Sequence, residues 1–140
     1  MRVKEIMSSD VSWVDPSVKV PEIAKIMKEK NVGSVPVVQN GKVLGIITDR
    51  DIILRVLALS KDLSQVTAEQ CMTADPVCIE DNEDINSAAE IMAEYQVKRL
   101  PVLRKGQIVG IIALGDLAIE SIHMDEAGEA LNGISRGITH

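Results

Sequence analysis

VGSVPVVQNGKVLGIITDRD, Val32–Asp51, is the stretch from which the fold can be read. It opens as an apolar segment containing Pro36, breaks at Asn40-Gly41, resumes as the apolar run Val43–Ile47, and ends in the polar cluster Thr48, Asp49, Arg50, Asp51. Asn-Gly between two apolar runs signals a two-residue type I′ hairpin, since both turn positions need a positive φ. The unbroken apolar run suits a strand buried on both faces. The stretch therefore reads as strand, tight turn, strand, helix start.

The same pattern returns 65 positions later as VKRLPVLRKGQIVGIIALGD, Val97–Asp116. At that offset Met7 matches Met72, Asp10 matches Asp75, Met27 matches Met92, and Pro36 matches Pro101. Gly41, Gly45 and Asp51 likewise match Gly106, Gly110 and Asp116, with no gap between Met7 and Asp51. An ungapped internal match of this length marks two copies of one supersecondary unit. Working outward, each copy starts with a short helical turn, Val3–Met7 or Ala68–Met72. An extended piece follows, Ser12–Val14 or Val77–Ile79. Next comes an amphipathic helix. Val20–Lys30 places Ile23, Ile26 and Met27 on one face; Ile85–Gln96 places Ile85, Ala88, Ala89 and Met92 there, with Asp84 as its cap. After the hairpin a second helix closes each copy, Asp49–Leu59 or Leu114–His123. The expected order is β-α-β-β-α, twice, an α/β (α+β) fold. Repeat 1 spans 1–60, a linker 61–65, repeat 2 66–124, and a tail 125–140, in which Ala127, Ala130, Leu131 and Ile134 could line a short helix. One copy of about 60 residues makes a marginal core alone, whereas two copies packed sheet on sheet make a sufficient one.

Composition narrows the function. Apolar residues make up 46% and charged residues 26%, with one Trp, one Tyr and no Phe, so the core is built from Val, Ile, Leu, Ala and Met. The net charge of −6 argues against nucleic acid, where Lys and Arg contacts to phosphate dominate affinity, yet leaves room for a small anion in a local basic pocket. No apolar run approaches the ~18 residues of a membrane span, and MRVKEIMSSD lacks a signal-peptide core. A cytoplasmic protein with no membrane contact is expected. Cys71 and Cys78 have neither metal spacing nor a disulfide framework and read as small hydrophobes in a reducing compartment.

Two local features carry the candidate chemistry. Thr48 as N-cap with Asp51 three residues on is a capping arrangement. The same geometry suits a ligand: backbone N–H groups face an anion, Asp51 can accept from vicinal hydroxyls, and Thr48 can donate to phosphate. The segment alone leaves both readings open, and they are compatible. Lys98-Arg99 stands where the first copy has Gly33-Ser34; it is either a solvated pair or a phosphate contact. Glu80, Asp81, Glu83 and Asp84 read as a solvated loop and helix start. His123 and His140 have no partner at metal spacing, so no metal site is expected. There is no P-loop, no G-x-G-x-x-G and no Ser/His/Asp set, so no catalytic residue is named.

Two β-α-β-β-α units, each with a hydrophobic-Pro-hydrophobic strand and a Gly turn, the first ending in the full motif G-h-h-T-x-x-D, resemble a tandem pair of cystathionine-β-synthase-like (CBS) domains from about Met1 to His123. The resemblance implies two sheets packed face to face about a pseudo-twofold axis, with clefts that take adenine nucleotides or adenosyl compounds. It implies that Thr48 and Asp51 contact ribose and phosphate. The second copy keeps Asp116 but has Ala113 in place of the hydroxyl residue. A hydrogen bond to a charged group is worth roughly 1.5–3 kcal/mol, so a missing phosphate donor would weaken that site ~10-fold or more. Lys98, then Arg99, then Arg50 are the implied phosphate contacts, and Val14, Val35, Pro36, Ile79, Leu100 and Pro101 the implied base pocket. The expected site lies where Thr48 and Asp51 meet the basic pair of the second copy. The implied function is regulatory: AMP, ADP or ATP, or alternatively S-adenosylmethionine or a dinucleotide, binds without covalent cofactor or catalysis and signals to an effector protein, with the chain as a homodimer. The rival is a constitutive dimerisation or protein-interaction module with an empty cleft.

Overall fold

Both long helices form where their end signals stand. The structure, a computed structural model, describes residues 1–121. Helix α1 is Val3–Ile6 and α2 is Val20–Lys30. Pro21 sits in the first turn of α2, where a missing N–H costs nothing, and Lys28 and Lys30 sit in its last turn, where positive charge is favoured. Asn31 ends it in the left-handed region at φ 54°, returning its N–H to the Met27 carbonyl. Strands β1, Ser34–Gln39, and β2, Lys42–Thr48, follow as an antiparallel hairpin. Asn40 and Gly41 have φ 53° and 78°, and Lys105 and Gly106 have φ 52° and 78° at the equivalent turn, the two positive angles of a type I′ loop.

Helix α3, Asp49–Ile52, continues directly into a π turn, Ile53–Leu57. Then come α4, Ala68–Cys71; β3, Thr73–Ala74; β4, Ile79–Glu80; α5, Ile85–Tyr95; β5, Arg99–Arg104; β6, Gln107–Ala113; and α6, Leu114–Ser121. Asp84 caps α5 by accepting the Asn86 N–H at 2.8 Å. The order is β1-β2-β3 in one three-stranded sheet and β4-β5-β6 in the other, so the fold is α+β with two small sheets and helices. The expected tail helix, His123 and His140 lie outside the described residues.

The compact units do not follow the sequence repeats. One comprises Ser12–Pro76; the other joins Met1–Val11 to the chain from Val77 onward. Each repeat therefore gives its leading segment to the sheet of the other repeat. In the first unit β3 pairs antiparallel with β2, Gly45 opposite Ala74 and Ile46 opposite Thr73. In the second, Ser8 and Ile111 exchange both backbone hydrogen bonds, at 2.8 and 2.9 Å. Apolar side chains make the same exchange. Val66, Ala68 and Cys71 join Val20, Ile23, Val35, Val37 and Ile47 in one core, while Val3 joins Ala88, Met92, Leu100, Val102 and Ile112 in the other.

Four local expectations change. Strands β2 and β6 are fully buried on one face only: Ile47 and Ile112 have no exposure, whereas Ile46 and Ile111 are half-buried, the alternation of an antiparallel sheet with its core on one side. The extended piece at Ser12–Val14 is reduced to a single bridge, Val14 to Val37. On α5, Ala89 is exposed and Ile91 packs on the core instead. Asp81 is not solvated. It is 6% exposed and accepts from Arg104 Nε at 2.8 Å, with Nη2 at 2.7 Å, a forked cation satisfying a buried carboxylate.

The exchanged segments lie too close for any side chain beneath them. A Cβ on Gly45 would lie 2.8 Å from the Thr73 carbonyl and would strike the Met72 side chain. One on Gly110 would lie 2.7 Å from the Ser8 carbonyl and 2.8 Å from Met7 Sδ. Backbone oxygens cannot swing aside as a side chain can. Gly45→Ala and Gly110→Ala are each expected to lower stability by about 1–3 kcal/mol through overpacking, measured by urea denaturation. An unchanged midpoint in both would show that the segments dock with slack.

Candidate functional site

Each unit carries a corner where the last hairpin strand turns into a helix. In the first unit Thr48 ends β2 with extended backbone and caps α3. Its Oγ accepts the Asp51 N–H at 3.1 Å, and its own N–H donates to Asp51 Oδ2 at 2.9 Å. This is a reciprocal capping box. Asp49 N–H donates to the Gly33 carbonyl at 3.0 Å, fixing the corner to the start of β1. The cap uses one Asp51 oxygen. The other, Oδ1, faces Arg55 Nε at 3.7 Å, and the Asp51 side chain is 15% exposed. Arg55 also donates through Nη1 to the Met72 carbonyl at 2.9 Å. Arg50 is exposed, and its N–H donates to Asp49 Oδ1 at 2.8 Å.

The corner of the second unit has the same backbone and different side chains. Leu114 N–H donates to the Lys98 carbonyl at 2.8 Å, as Asp49 does to Gly33. Ala113 N–H donates to Asp116 Oδ2 at 2.8 Å, but Ala113 has no hydroxyl to return the bond. Arg99 stands opposite Ala113 in the β5–β6 register. Burial pushes the Asp116 carboxyl above its ordinary value, while the Ala113 N–H and the Arg99 charge pull the other way. Lys98 and Arg99 are both exposed.

The structure thus groups Thr48, Arg50 and Asp51 in one corner and Lys98, Arg99 and Asp116 in the other. The six residues expected around a base are all buried. Val14 and Val35 belong to the first core and Ile79 and Leu100 to the second, while Pro36 and Pro101 are less than 2% exposed. Two neighbours escaped the sequence reading. Arg55 was legible as an i,i+4 partner of Asp51. Ser34, 7% exposed at the start of β1, pairs with Thr48 in register and occupies the place Arg99 holds in the second repeat.

Comparison with known proteins bears on the family and the fold. The family model for the CBS domain matches residues 3–58 and again 66–123. A CBS domain-containing protein of Bacillus subtilis, YhcV, is 39% identical over 138 residues, covering 99% of this chain and 98% of the relative. Among solved structures, a putative signal-transduction protein with CBS domains from Burkholderia ambifaria superposes with a TM-score of 0.80 at 26% identity, covering 90% of this chain and 99% of that one. The CBS domain pair of protein MJ0100, solved in complex with 5′-methylthioadenosine and S-adenosyl-L-methionine, gives a TM-score of 0.75 at 30% identity, covering 84% and 97%.

The raised Asp116 value links this corner to stability. A carboxyl whose folded pKa exceeds its unfolded one stabilises the fold when protonated; that contribution is complete below the unfolded value, ~3.9, and is lost as pH rises through the folded value. Asp116→Asn keeps an oxygen for the Ala113 N–H and cannot ionise. Its urea midpoint at pH 7 is expected to exceed that of the wild type, with the difference shrinking at acid pH. An equal difference at about pH 7 and pH 3.5 would detach the effect from ionisation.

Proposed function

The chain belongs to the CBS domain family, and on that premise we propose that it is a regulatory module that binds an adenine nucleotide or adenosyl compound and passes its bound state to a partner protein. One observation carries this reading. At both corners a single carboxylate oxygen is held by the capping N–H, at 2.9 Å for Asp51 and 2.8 Å for Asp116. The carboxylate is thereby aimed, and its second oxygen remains for a ribose hydroxyl. The adenosyl compounds in the MJ0100 complex support the same ligand class. Thr48 Oγ, Arg50 and Arg55 are the groups for phosphate at the first corner, and Lys98 and Arg99 at the second. Val14, Val35, Pro36, Ile79, Leu100 and Pro101 remain the candidates for holding the base. We read the chain as a binding protein rather than an enzyme, since every polar group named has a binding or capping role.

Assembly as a homodimer is part of the proposal. Ile53, Leu54 and Leu57 on the π turn are 53%, 47% and 58% exposed, a cluster of large apolar side chains that a second copy would cover. The same residues favour the second reading, a constitutive dimerisation module whose ligand corners stay empty.

Thermal melting separates the two. AMP, ADP, ATP, 5′-methylthioadenosine or S-adenosylmethionine should raise the melting temperature, with about 2.7 kcal/mol gained at a hundredfold excess over Kd. Asp51→Ala should reduce the shift more than Asp116→Ala, because the first corner keeps both Thr48 and a carboxylate. If no adenosyl compound moves the melting point at millimolar concentration while the chain stays dimeric, the constitutive module is correct. Light scattering that returns a mass near the single-chain 15.2 kDa would rule out the dimer in either reading.

A further inference from the structure

Arg55 holds two things at once. Its Nε faces Asp51 Oδ1 at 3.7 Å, and its Nη1 donates to the Met72 carbonyl at 2.9 Å. Met72 is the residue between α4 and β3, so the guanidinium ties the carboxylate of the corner to the root of the docked strand. The Cys71 thiol on α4 is pushed up by burial first and by the Asp51 carboxylate second, with Arg55 opposing. The π turn is where Arg55 sits. Ala58 N–H reaches back to the Ile53 carbonyl at 2.8 Å, a five-residue spacing that widens the helix and is frequent at functional sites. At the equivalent place the second repeat has Glu120 within α6, a regular helix over Leu114–Ser121. The link is therefore a property of the first unit.

We propose that Arg55 couples the occupancy of Asp51 to the docking of β3. This rests on the ribose-binding reading given above for Asp51. A hydroxyl that takes Oδ1 competes with Arg55 for the same oxygen, because Oδ2 is already held by the cap. Once displaced, the guanidinium no longer has two fixed partners, and its hold on the Met72 carbonyl weakens. Strand β3 then loosens on β2, and the residues after it, Asp75 and Pro76, lead straight into the second unit at Val77. Asp75 reports the event, since its N–H donates to the Leu44 carbonyl at 3.1 Å.

Amide hydrogen exchange of the full-length protein tests this in two arms. Without ligand, Arg55→Ala and Asp51→Asn should each speed exchange at Asp75 by roughly two- to fivefold, the scale of a half-exposed ion pair. The double variant should be no faster than Arg55→Ala alone. Arg55→Lys, which keeps the charge but not the fork, should remain fast. The Asp81 amide, bonded to the Leu103 carbonyl at 2.8 Å in the other unit, should not change. With ligand, saturating AMP or adenosine should speed Asp75 exchange in the wild type and add nothing in Arg55→Ala. Additive effects of the two substitutions, or wild-type exchange in Arg55→Ala, would overturn the coupling whatever the ligand does. AMP that raises the melting temperature but leaves Asp75 unchanged would overturn it too. If neither AMP nor adenosine binds, the ligand reading fails while the ligand-free cycle still decides whether Asp51 and β3 communicate through Arg55.

Discussion

The contact on which the rest depends is the passage of a backbone over a bare glycine. Strand β2 is crossed at Gly45 by Met72 and Thr73, and β6 is crossed at Gly110 by Met7 and Ser8. There the leading segment of one repeat pairs with a strand of the other through backbone hydrogen bonds such as Ser8 to Ile111. Those bonds set the segment; the buried side chains then lock it. Val3 and Ala68 have no exposure at all, and burying a side chain the size of valine contributes about 1.5–3 kcal/mol. Neither repeat by itself supplies a complete core. The exchange makes the folding of each unit conditional on residues encoded in the other half of the chain, so it answers the smallness of a single repeat with two shared cores.

The same economy operates at the corners. A carboxylate that caps a helix is held in a fixed direction by its bond to the backbone N–H. At the first corner Thr48 and Asp51 satisfy one another, and Arg55 stands by the remaining oxygen. At the second, Asp116 has lost the hydroxyl partner and sits where burial opposes its charge. The two corners share a backbone yet differ in the charged side chains around the carboxylate, Arg55 beside Asp51 and Arg99 near Asp116. Side-chain differences between the repeats, among them Thr48 against Ala113 and Arg55 against Glu120, make the two corners unlike.

Much of this was legible in the residues, for identifiable reasons. Asn40-Gly41 and Lys105-Gly106 announced the hairpins because few dipeptides tolerate two positive φ angles. Helices α2 and α5 were readable from periodicity and end signals. Thr48 and Asp51 were readable because a capping box is local, spanning three residues. What escaped was non-local. The offset of the repeat equates Gly45 with Gly110 but says nothing of which segment crosses them. The exchange leaves no trace in spacing, since Met7 and Met72 look alike whichever sheet they serve. The acidic loop looked solvated because Asp81's partner, Arg104, lies 23 residues away. Ala89 looked like core because alanine fits either face of a helix. Arg55 is the instructive case: its spacing from Asp51 was visible, but its second partner, a carbonyl 17 residues on, was not.

That second partner decides what kind of device the first repeat is. A helix-surface pair such as Asp51–Arg55 alone stabilises a helix by tenths of a kcal/mol and carries no message. A guanidinium shared between the corner carboxylate and the backbone of another segment is different, because its two contacts draw on one set of donors in fixed geometry. Whatever changes one contact changes the other, and that is the physical content of coupling between a site and a distant element. Small magnitude is no objection. A regulatory equilibrium must be reversible at cellular ligand concentrations, and a link strong enough to hold β3 rigidly would leave nothing for the ligand to shift. Arg55 is half-exposed, 49% accessible, so its pair with Asp51 falls on the weak end of the range for ion pairs. Its counterpart Glu120 is opposite in charge, so Asp116 has no such cation at the i+4 position.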